Sequence, residues 1–212
     1  MKGVMKEYLL EWELNGIPQS PLLCSGEDQK ALLIGHMITS GRIDPFSRWC
    51  IDGSEEKCWQ ISTDSPVRKI GSVFEALDSM GPIPSDRKAE PSELSELCDE
   101  LMGQEHLVGL HAVLLSDGEQ QVIGRDIGRH NALDKAVGTA LMENMDLSRT
   151  VLCTTARLTL ETLVRAARAG IPVLATCKPV GSLCVEWAEK WDVAVCRAGS
   201  KSICYSASWR MI

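Results

Sequence analysis

From residue 107 to residue 206 the chain keeps one rhythm, a short apolar run followed by an amphipathic run. "LVGLHAVLLSDGEQQVIGRD" reads as a strand, an Asp-Gly turn and a second strand. "ALDKAVGTALMENM" is a helix with Leu133, Val137, Ala140 and Leu141 on one face. "TVLCT", "IPVLATC", "VAVCR" and "SICYSA" read as strands, and the helices "LTLETLVRAARAG" and "SLCVEWAEKW" stand between them, the first closed by Gly170. Apolar strands joined through helices need a sheet covered on its faces, so this region predicts a three-layer α/β domain.

The first third reads differently. Tyr8, Leu10, Trp12 and Leu14 alternate with Glu7, Glu11 and Glu13 as one half-buried strand ended by Asn-Gly. "GEDQKALLIGHMITSGRI" follows as a helix, and Asp-Gly between two apolar runs predicts a hairpin over 48–62. Residues 63–91 are rich in Pro, Ser, Gly and charge, with about one turn of helix at "SVFEALDSM". Ser92 is the expected cap of the next helix. The predicted organisation is a small N-terminal α+β domain over 1–62, a connector over 63–91 and the α/β domain over 92–212.

A formal net charge of −7 and a pI near 5.2 argue against a general nucleic-acid surface and leave room only for a small basic site. Acids at positions 7, 11 and 13 interrupt any signal sequence, and no run approaches the roughly 20 apolar residues of a membrane span. The expectation is a cytoplasmic protein with neither membrane nor nucleic acid as partner. Nine cysteines without CxxC or zinc-finger spacing read as buried small hydrophobes, with no metal site.

The most charged stretch is "GRDIGRHNALDKAVG", residues 124–138. Asn131 is placed to cap a helix starting at Ala132, with Asp134 as a favourable acid in its first turn. Arg125, Arg129, His130 and Lys135 then crowd cations around a helix end that is already positive, which calls for an anion there unless salt bridges among Arg125, Asp126, Arg129 and Asp134 satisfy them internally. Gly124 and Gly128 would let a ligand approach the backbone.

Three later strands end on a small or polar residue and a cation, in "VLCTTAR", "PVLATCK" and "VAVCRAGSK". Ligands of open α/β sheets bind at such carboxyl ends, where Arg157, Lys178, Arg197 and Lys201 could converge. From Val193 to Ile212 there is no acid, while Arg197, Lys201 and Arg210 are present. Cys153, Cys177 and Cys196 stand at the same ends, and His111 lies in an apolar strand.

"GLHAVLLSDG", "GRDIGRHNALDKAVGTAL", "TTARLTLETLVRAARAGIPVLAT" and "GSLCVEWAEKWDVAVCRAGSKSICYSA" resemble, in continuous order, the formate dehydrogenase accessory sulfurtransferases called FdhD. "LNGIP" and "LLIGHMITSGRI" resemble that family's opening more weakly. The resemblance implies a cytidine-deaminase-like α/β fold, a homodimer, and work on the molybdenum (or tungsten) guanine-dinucleotide cofactor as bound cargo, with a GDP-like nucleotide as an alternative ligand. A cysteine desulfurase would supply sulfur, and a molybdoenzyme such as formate dehydrogenase would receive the cofactor. Gly109 and His111 match one family element, and Arg157 with Glu161 another. Asp126, Gly128, Arg129, His130, Asn131, Asp134 and Lys135 match the central signature, and Cys196, Arg197, Ala198, Gly199, Ser200 and Lys201 the loop assigned to cofactor binding.

The family's sulfur-bearing CxxC is missing, since its place reads "SPVRKIGSVFEAL". No catalytic residue can therefore be named. Cys50 and Cys58 could substitute only if folding brings one of them to the cofactor. Arg125 replaces an expected Glu, "TAR" stands for "SGR", and Lys201 replaces Arg, a poorer planar clamp for phosphate. Two roles follow: an accessory protein assisting sulfuration or delivery, or a non-catalytic paralogue that only binds the nucleotide or cofactor. A zinc deaminase would need H-x-E and P-C-x-x-C, and the chain has neither.

Overall fold

The computed structural model describes residues 5–54, 57–69, 73–104, 109–199 and 201–212. Its centre is a six-stranded mixed sheet of β7 (His111–Ser116), β8 (Gln121–Asp126), β9 (Val151–Thr154), β10 (Val173–Thr176), β11 (Ala194–Arg197) and β12 (Ile203–Ser206). Their spatial order is β12-β11-β10-β9-β7-β8, with β9, β10 and β11 parallel and the outer pairings antiparallel. All four residues of β9 and of β10 are buried, which is why "VLC" and "VLA" are apolar without alternation, and the closing Thr154 and Thr176 each donate a hydroxyl to a backbone carbonyl.

Each face takes helices, so the chain is α/β. On one, α3 (Pro91–Met102) lays Leu94, Leu97, Cys98 and Leu101 over Ala112, Leu114, Val151, Cys153, Val173 and Ala175. On the other lie α4 (Arg129–Met142), α5 (Leu160–Arg168) and α6 (Ser182–Lys190), against Val113, Leu115, Leu152, Leu174 and Val195. The acidic composition and the six strands are those of an ordinary domain, and no helix among the described residues is long and apolar enough to cross a membrane.

The N-terminal elements pack outside this second layer. Helix α1 (Gln29–Thr39) is buried at every position except Lys30, as a helix apolar on all sides must be. One side meets α4 so closely that a Cβ on Gly35 would sit 1.7 Å from the Asp134 carbonyl oxygen, and one on Gly138 would sit 1.9 Å from that of Ala31. The other side meets a four-stranded sheet of β2 (Trp12–Leu14), β3 (Ile17–Pro18), β5 (Trp49–Ser54) and β6 (Lys57–Thr63). There the Trp12 ring stands edge-on to His36 at 5.9 Å, and Trp59 Nε1 donates to Gln29 Oε1 at 2.9 Å.

Three local readings change. The stretch 8–14 is two strands in two sheets: β1 (Tyr8–Leu10) pairs with β4 (Leu22–Cys24), while β2 pairs with β3 and β6. The alternation survives the switch, since Leu10, Trp12 and Leu14 are all buried. Helix α3 starts on Pro91 after Glu90, because proline suits a first helical position, and Ser92 Oγ bonds Glu90 Oε2 instead of capping. The connector carries α2 (Val73–Ser79) and is latched by Arg210, whose guanidinium donates to the carbonyls of Ile83, Ser85 and Arg87. Arg210 is fully buried, so this tail cation is a structural pin rather than part of an exposed basic ledge.

Candidate anion-binding site

The charged signature divides into an internal frame and an open pocket. Helix α4 begins at Arg129 with Gly128 as its N-cap, three residues ahead of the start expected from Asn131. Asn131 is drawn away from capping because its Nδ2 donates to Leu23 O at 2.7 Å and to Asp126 Oδ1 at 3.0 Å. Gly124 serves packing between β8 and α4, since a Cβ there would lie 2.3 Å from Ala132 O, so the close approach it permits is that of a helix and not a ligand. Gly128 has an extended backbone and donates its N–H to Asp126 Oδ1 at 2.9 Å.

Asp126 and Lys135 form an ion pair of 2.8 Å with both side chains fully buried. The ammonium also donates to Ser25 Oγ at 2.8 Å and to Arg125 O at 3.1 Å, so all three donors have partners. Asp126 Oδ2 accepts from Ser25 N and Oγ as well. Burial alone would raise the Asp126 carboxyl, but Lys135 and the N–H groups of Gly128 and Ser25 hold it below its ordinary range. Arg125 turns aside to Gln104.

Asp134 is a second buried hub. It accepts from Thr39 Oγ1 at 2.5 Å and from Arg165 Nη1 at 3.1 Å, and its Oδ2 lies 3.1 Å from His36 Nδ1. Burial pushes this carboxyl up and Arg165 with His36 pulls it further down, leaving it below the usual value. The same chain of charges continues to the surface. Arg165 approaches Glu161 at 3.8 Å, and Glu161 Oε1 lies 3.3 Å from His130 Nδ1. His130 is held down chiefly by desolvation and then by the Arg165 charge, with Glu161 opposing, and its Nε2 is buried without a partner among the described residues.

The open part is a pocket of about 220 Å³ lined by His111, Arg129, Thr155, Ala156, Arg157, Thr159 and Lys178. It lies where β9 and β10 end and where α4 and α5 begin. Thr159 caps α5 through Thr162 N, while the positive end of each helix adds to the field. None of its lining residues is a carboxylate, and among the described residues none pairs with the exposed Arg129, Arg157 or Lys178. A larger cavity of about 500 Å³ lies near the C-terminal ends of α1 and α5, but Asp44 and Glu75 line it and Arg68 is already paired to Asp44 at 2.8 Å. The smaller pocket is the one whose lining carries cations and no acid.

The loop after β11 continues this edge of the sheet without lining the pocket. Arg197 stands beside Thr176 in the strand register, and Ala198 N donates to Thr176 O at 3.0 Å. Arg197, Gly199 and Lys201 are exposed, whereas Cys196 and Ala198 are buried beneath α3; Ser200 lies outside the described residues. Cys153 is fully buried in that layer too, and burial pushes the half-exposed Cys177 up to about 11. Cys50 and Cys58 lie on β5 and β6, and neither lines the cationic pocket. Among the described residues no group of three His, Cys, Asp or Glu side chains is placed to hold a metal ion.

Of the four strand-end cations expected to converge, the fold brings Arg157 and Lys178 together, joined by Arg129 and by His111, while Arg197 and Lys201 do not line the pocket. Sequence reasoning missed Thr155 and Thr159, though "LTLET", a threonine before a helix with an acid in its first turn, signals the cap. It also missed Ser25, His36, Thr39 and Arg165, which hold the two buried hubs from up to 110 residues away in sequence.

Several known proteins are similar to this chain over part or most of its length. A curated "Sulfur carrier protein FdhD" from Streptomyces avermitilis is 43% identical over 110 residues, which is 49% of this chain but 39% of that relative's length. Proteins of the same name from Burkholderia mallei and Bacillus pumilus are 33% and 28% identical, covering 88% and 90% of this chain and 81% and 82% of their own. A crystal structure from Desulfotalea psychrophila, described as that of a candidate formate dehydrogenase accessory protein, superposes with a TM-score of 0.82 at 21% identity, covering 98% of this chain and 90% of that one. That likeness establishes the common α/β fold. The model of the FdhD/NarQ family matches residues 51–212, which take in most of the hairpin, the six-stranded sheet, the signature and the pocket, and the chain belongs to that family.

Proposed function

We propose that this protein is a formate dehydrogenase accessory protein that binds the guanine-dinucleotide form of the molybdenum or tungsten cofactor and assists its sulfuration or its delivery to a molybdoenzyme. The observation that carries this reading is the acid-free pocket of His111, Arg129, Arg157 and Lys178 between two helix N-termini. At about 220 Å³ it suits a phosphate or pyrophosphate but not a whole dinucleotide cofactor. The diphosphate would therefore seat in the pocket, and the bulkier ends would lie along the exposed strand ends toward Arg197 and Lys201. Arg129 and Arg157 supply planar charge-assisted donors, and Lys178 a point charge. Asp126, Asn131, Asp134 and Lys135 serve the same site indirectly by fixing where α4 begins.

The relatives named sulfur carriers, with the family membership, support cofactor sulfuration or delivery as the wider role, with formate dehydrogenase as client and a cysteine desulfurase as sulfur source. The missing CxxC favours a second reading, a paralogue that binds cofactor or nucleotide without moving sulfur. A GDP titration tests the binding step shared by both: GDP should raise the melting temperature, and Arg129→Ala should reduce that rise. No rise with the parent protein would remove the nucleotide pocket. Two chains assembling as a homodimer belong to the same proposal, and sedimentation of the purified protein decides it.

A further inference from the structure

With the family's cysteine pair absent, the structure offers a different pair. Strands β11 and β12 run antiparallel with Cys196 directly opposite Cys204. Directly opposed residues have Cα atoms roughly 4.5–5.5 Å apart. That lies inside the roughly 4.4–6.8 Å a disulfide spans. Both side chains project to the α3 side, where Cys196 is 1% exposed and lies 3.6 Å from the Met211 sulfur. Cys204 is partly exposed on β12, the edge strand of the sheet, with the exposed Ile203 and Tyr205 on either side in sequence.

We infer that Cys204 is a sulfane-sulfur acceptor and that Cys196 is its resolving thiol. The inference rests on the accessory role proposed above and names the chemistry that replaces the missing CxxC. The facing Cys196 thiol draws Cys204 down to about 7 and is itself pushed up, while the Cys204 Sγ donates to Ser206 O at 3.0 Å. A thiol with a pKa near ambient pH is the best compromise between thiolate fraction and nucleophilicity. No other described cysteine joins these properties. Cys24, Cys58, Cys153, Cys177 and Cys184 are pushed up, Cys98 is 2% exposed, and Cys50 faces Ser62 rather than a thiol. The pair also adjoins the proposed cofactor ledge. Cys196 immediately precedes Arg197, whose register neighbour Thr176 stands two residues before the pocket's Lys178.

The loading step is a transfer without net oxidation. The Cys204 thiolate attacks the outer sulfur of a donor persulfide; a bond from Cys204 Sγ to that sulfur forms, the donor's sulfur–sulfur bond breaks, and the donor leaves as a thiolate that takes up a proton. The persulfide's outer sulfur is then available to an acceptor on the ledge. Without one, Cys196 attacks Cys204 Sγ. The Sγ–Sγ bond forms, the outer sulfur departs with the bonding pair as hydrogen sulfide, and two electrons pass from the cysteines to that sulfur. A dithiol reductant returns the resulting disulfide to two thiols.

The protein, its Cys196→Ala variant and its Cys204→Ser variant are each incubated with glutathione persulfide, alkylated and mapped by mass spectrometry, with released sulfide measured in parallel. Cys196→Ala should retain one added sulfur on Cys204. The parent should release up to one equivalent of sulfide per chain and gain a Cys196–Cys204 disulfide, and Cys204→Ser should do neither. Unmodified Cys204 in the Cys196→Ala variant, or parent-like sulfide release by Cys204→Ser, overturns the assignment. The GDP shift is read on every sample. Its retention in Cys204→Ser shows a folded protein with its pocket, so a sulfur defect belongs to the thiol. Its absence from the parent strikes the pocket proposal and not this one.

Discussion

Replacing Lys135 with methionine separates a scaffold residue from a ligand contact. The substitution keeps most of the buried stem and removes the ammonium, so the loss is electrostatic and not a cavity. Asp126 would keep its bonds from Ser25, Gly128 and Asn131 but lose the one cation 2.8 Å away, and Ser25 Oγ and Arg125 O would lose a donor. Breaking a buried pair by removing one partner costs about 3–5 kcal/mol, and complete burial of both side chains places this pair in that range. At about 2–4 °C per kcal/mol for a chain of this size, the melting temperature should fall by roughly 6–20 °C. Calorimetry on the purified variant reads this directly. The double variant Asp126→Asn, Lys135→Met should recover part of the loss, because it leaves no uncompensated carboxylate. A Lys135→Met protein that melts like the parent while losing GDP binding would refute the reasoning, because it would make Lys135 a ligand contact and not a strut.

Other consequences follow from the same geometry. Gly35→Ala gains about 1 kcal/mol of helix propensity. The methyl would nevertheless meet the Asp134 carbonyl at 1.7 Å, so equilibrium unfolding should show a net loss of about 1–3 kcal/mol; a stabilised variant would contradict the tight α1–α4 crossing. The pKa of His130 is lowered in the folded protein, so its contribution is fully present above the ordinary histidine value of about 6.5 and is lost as pH falls through the lower folded value. His130→Gln should therefore flatten the decline in stability across that window, and an unchanged slope would count against a buried neutral imidazole. For Asp126 and Asp134, also lowered, stability is present above about 4 and is lost below it as pH falls through their folded values. Asp126→Asn should make the acid-unfolding profile shallower at that end.

The element order of the α/β region was legible because each strand and helix there carries its own period, and burial on both faces made "VLC" in β9 and "VLA" in β10 read as apolar without alternation. Positions governed by distant partners were not legible. Asn131 has the right chemistry for a cap, yet a carbonyl at Leu23 and a carboxylate at Asp126 claim its amide. Asp134 looks like a first-turn acid until α1 brings Thr39 and His36 and α5 brings Arg165. Part of the cationic pocket was foreseeable, because Arg157 and Lys178 follow strand ends that sequence marks locally, but Arg197 and Lys201 carry the same mark and do not line it. The pairing of Cys196 with Cys204 depends on strand register, with an irregularity between Val195 and Cys196 that no pattern in one sequence reveals.

The central claim is that the acid-free pocket recognises a diphosphate, and calorimetric titration of GDP into the parent and into Arg157→Ala/Lys178→Ala tests it most directly. A hydrogen bond to a charged group is worth about 1.5–3 kcal/mol, so the double variant should bind GDP at least about ten-fold more weakly with its melting temperature nearly unchanged, both side chains being exposed. Equal affinity in parent and variant, or no heat of binding in the parent, would contradict the account.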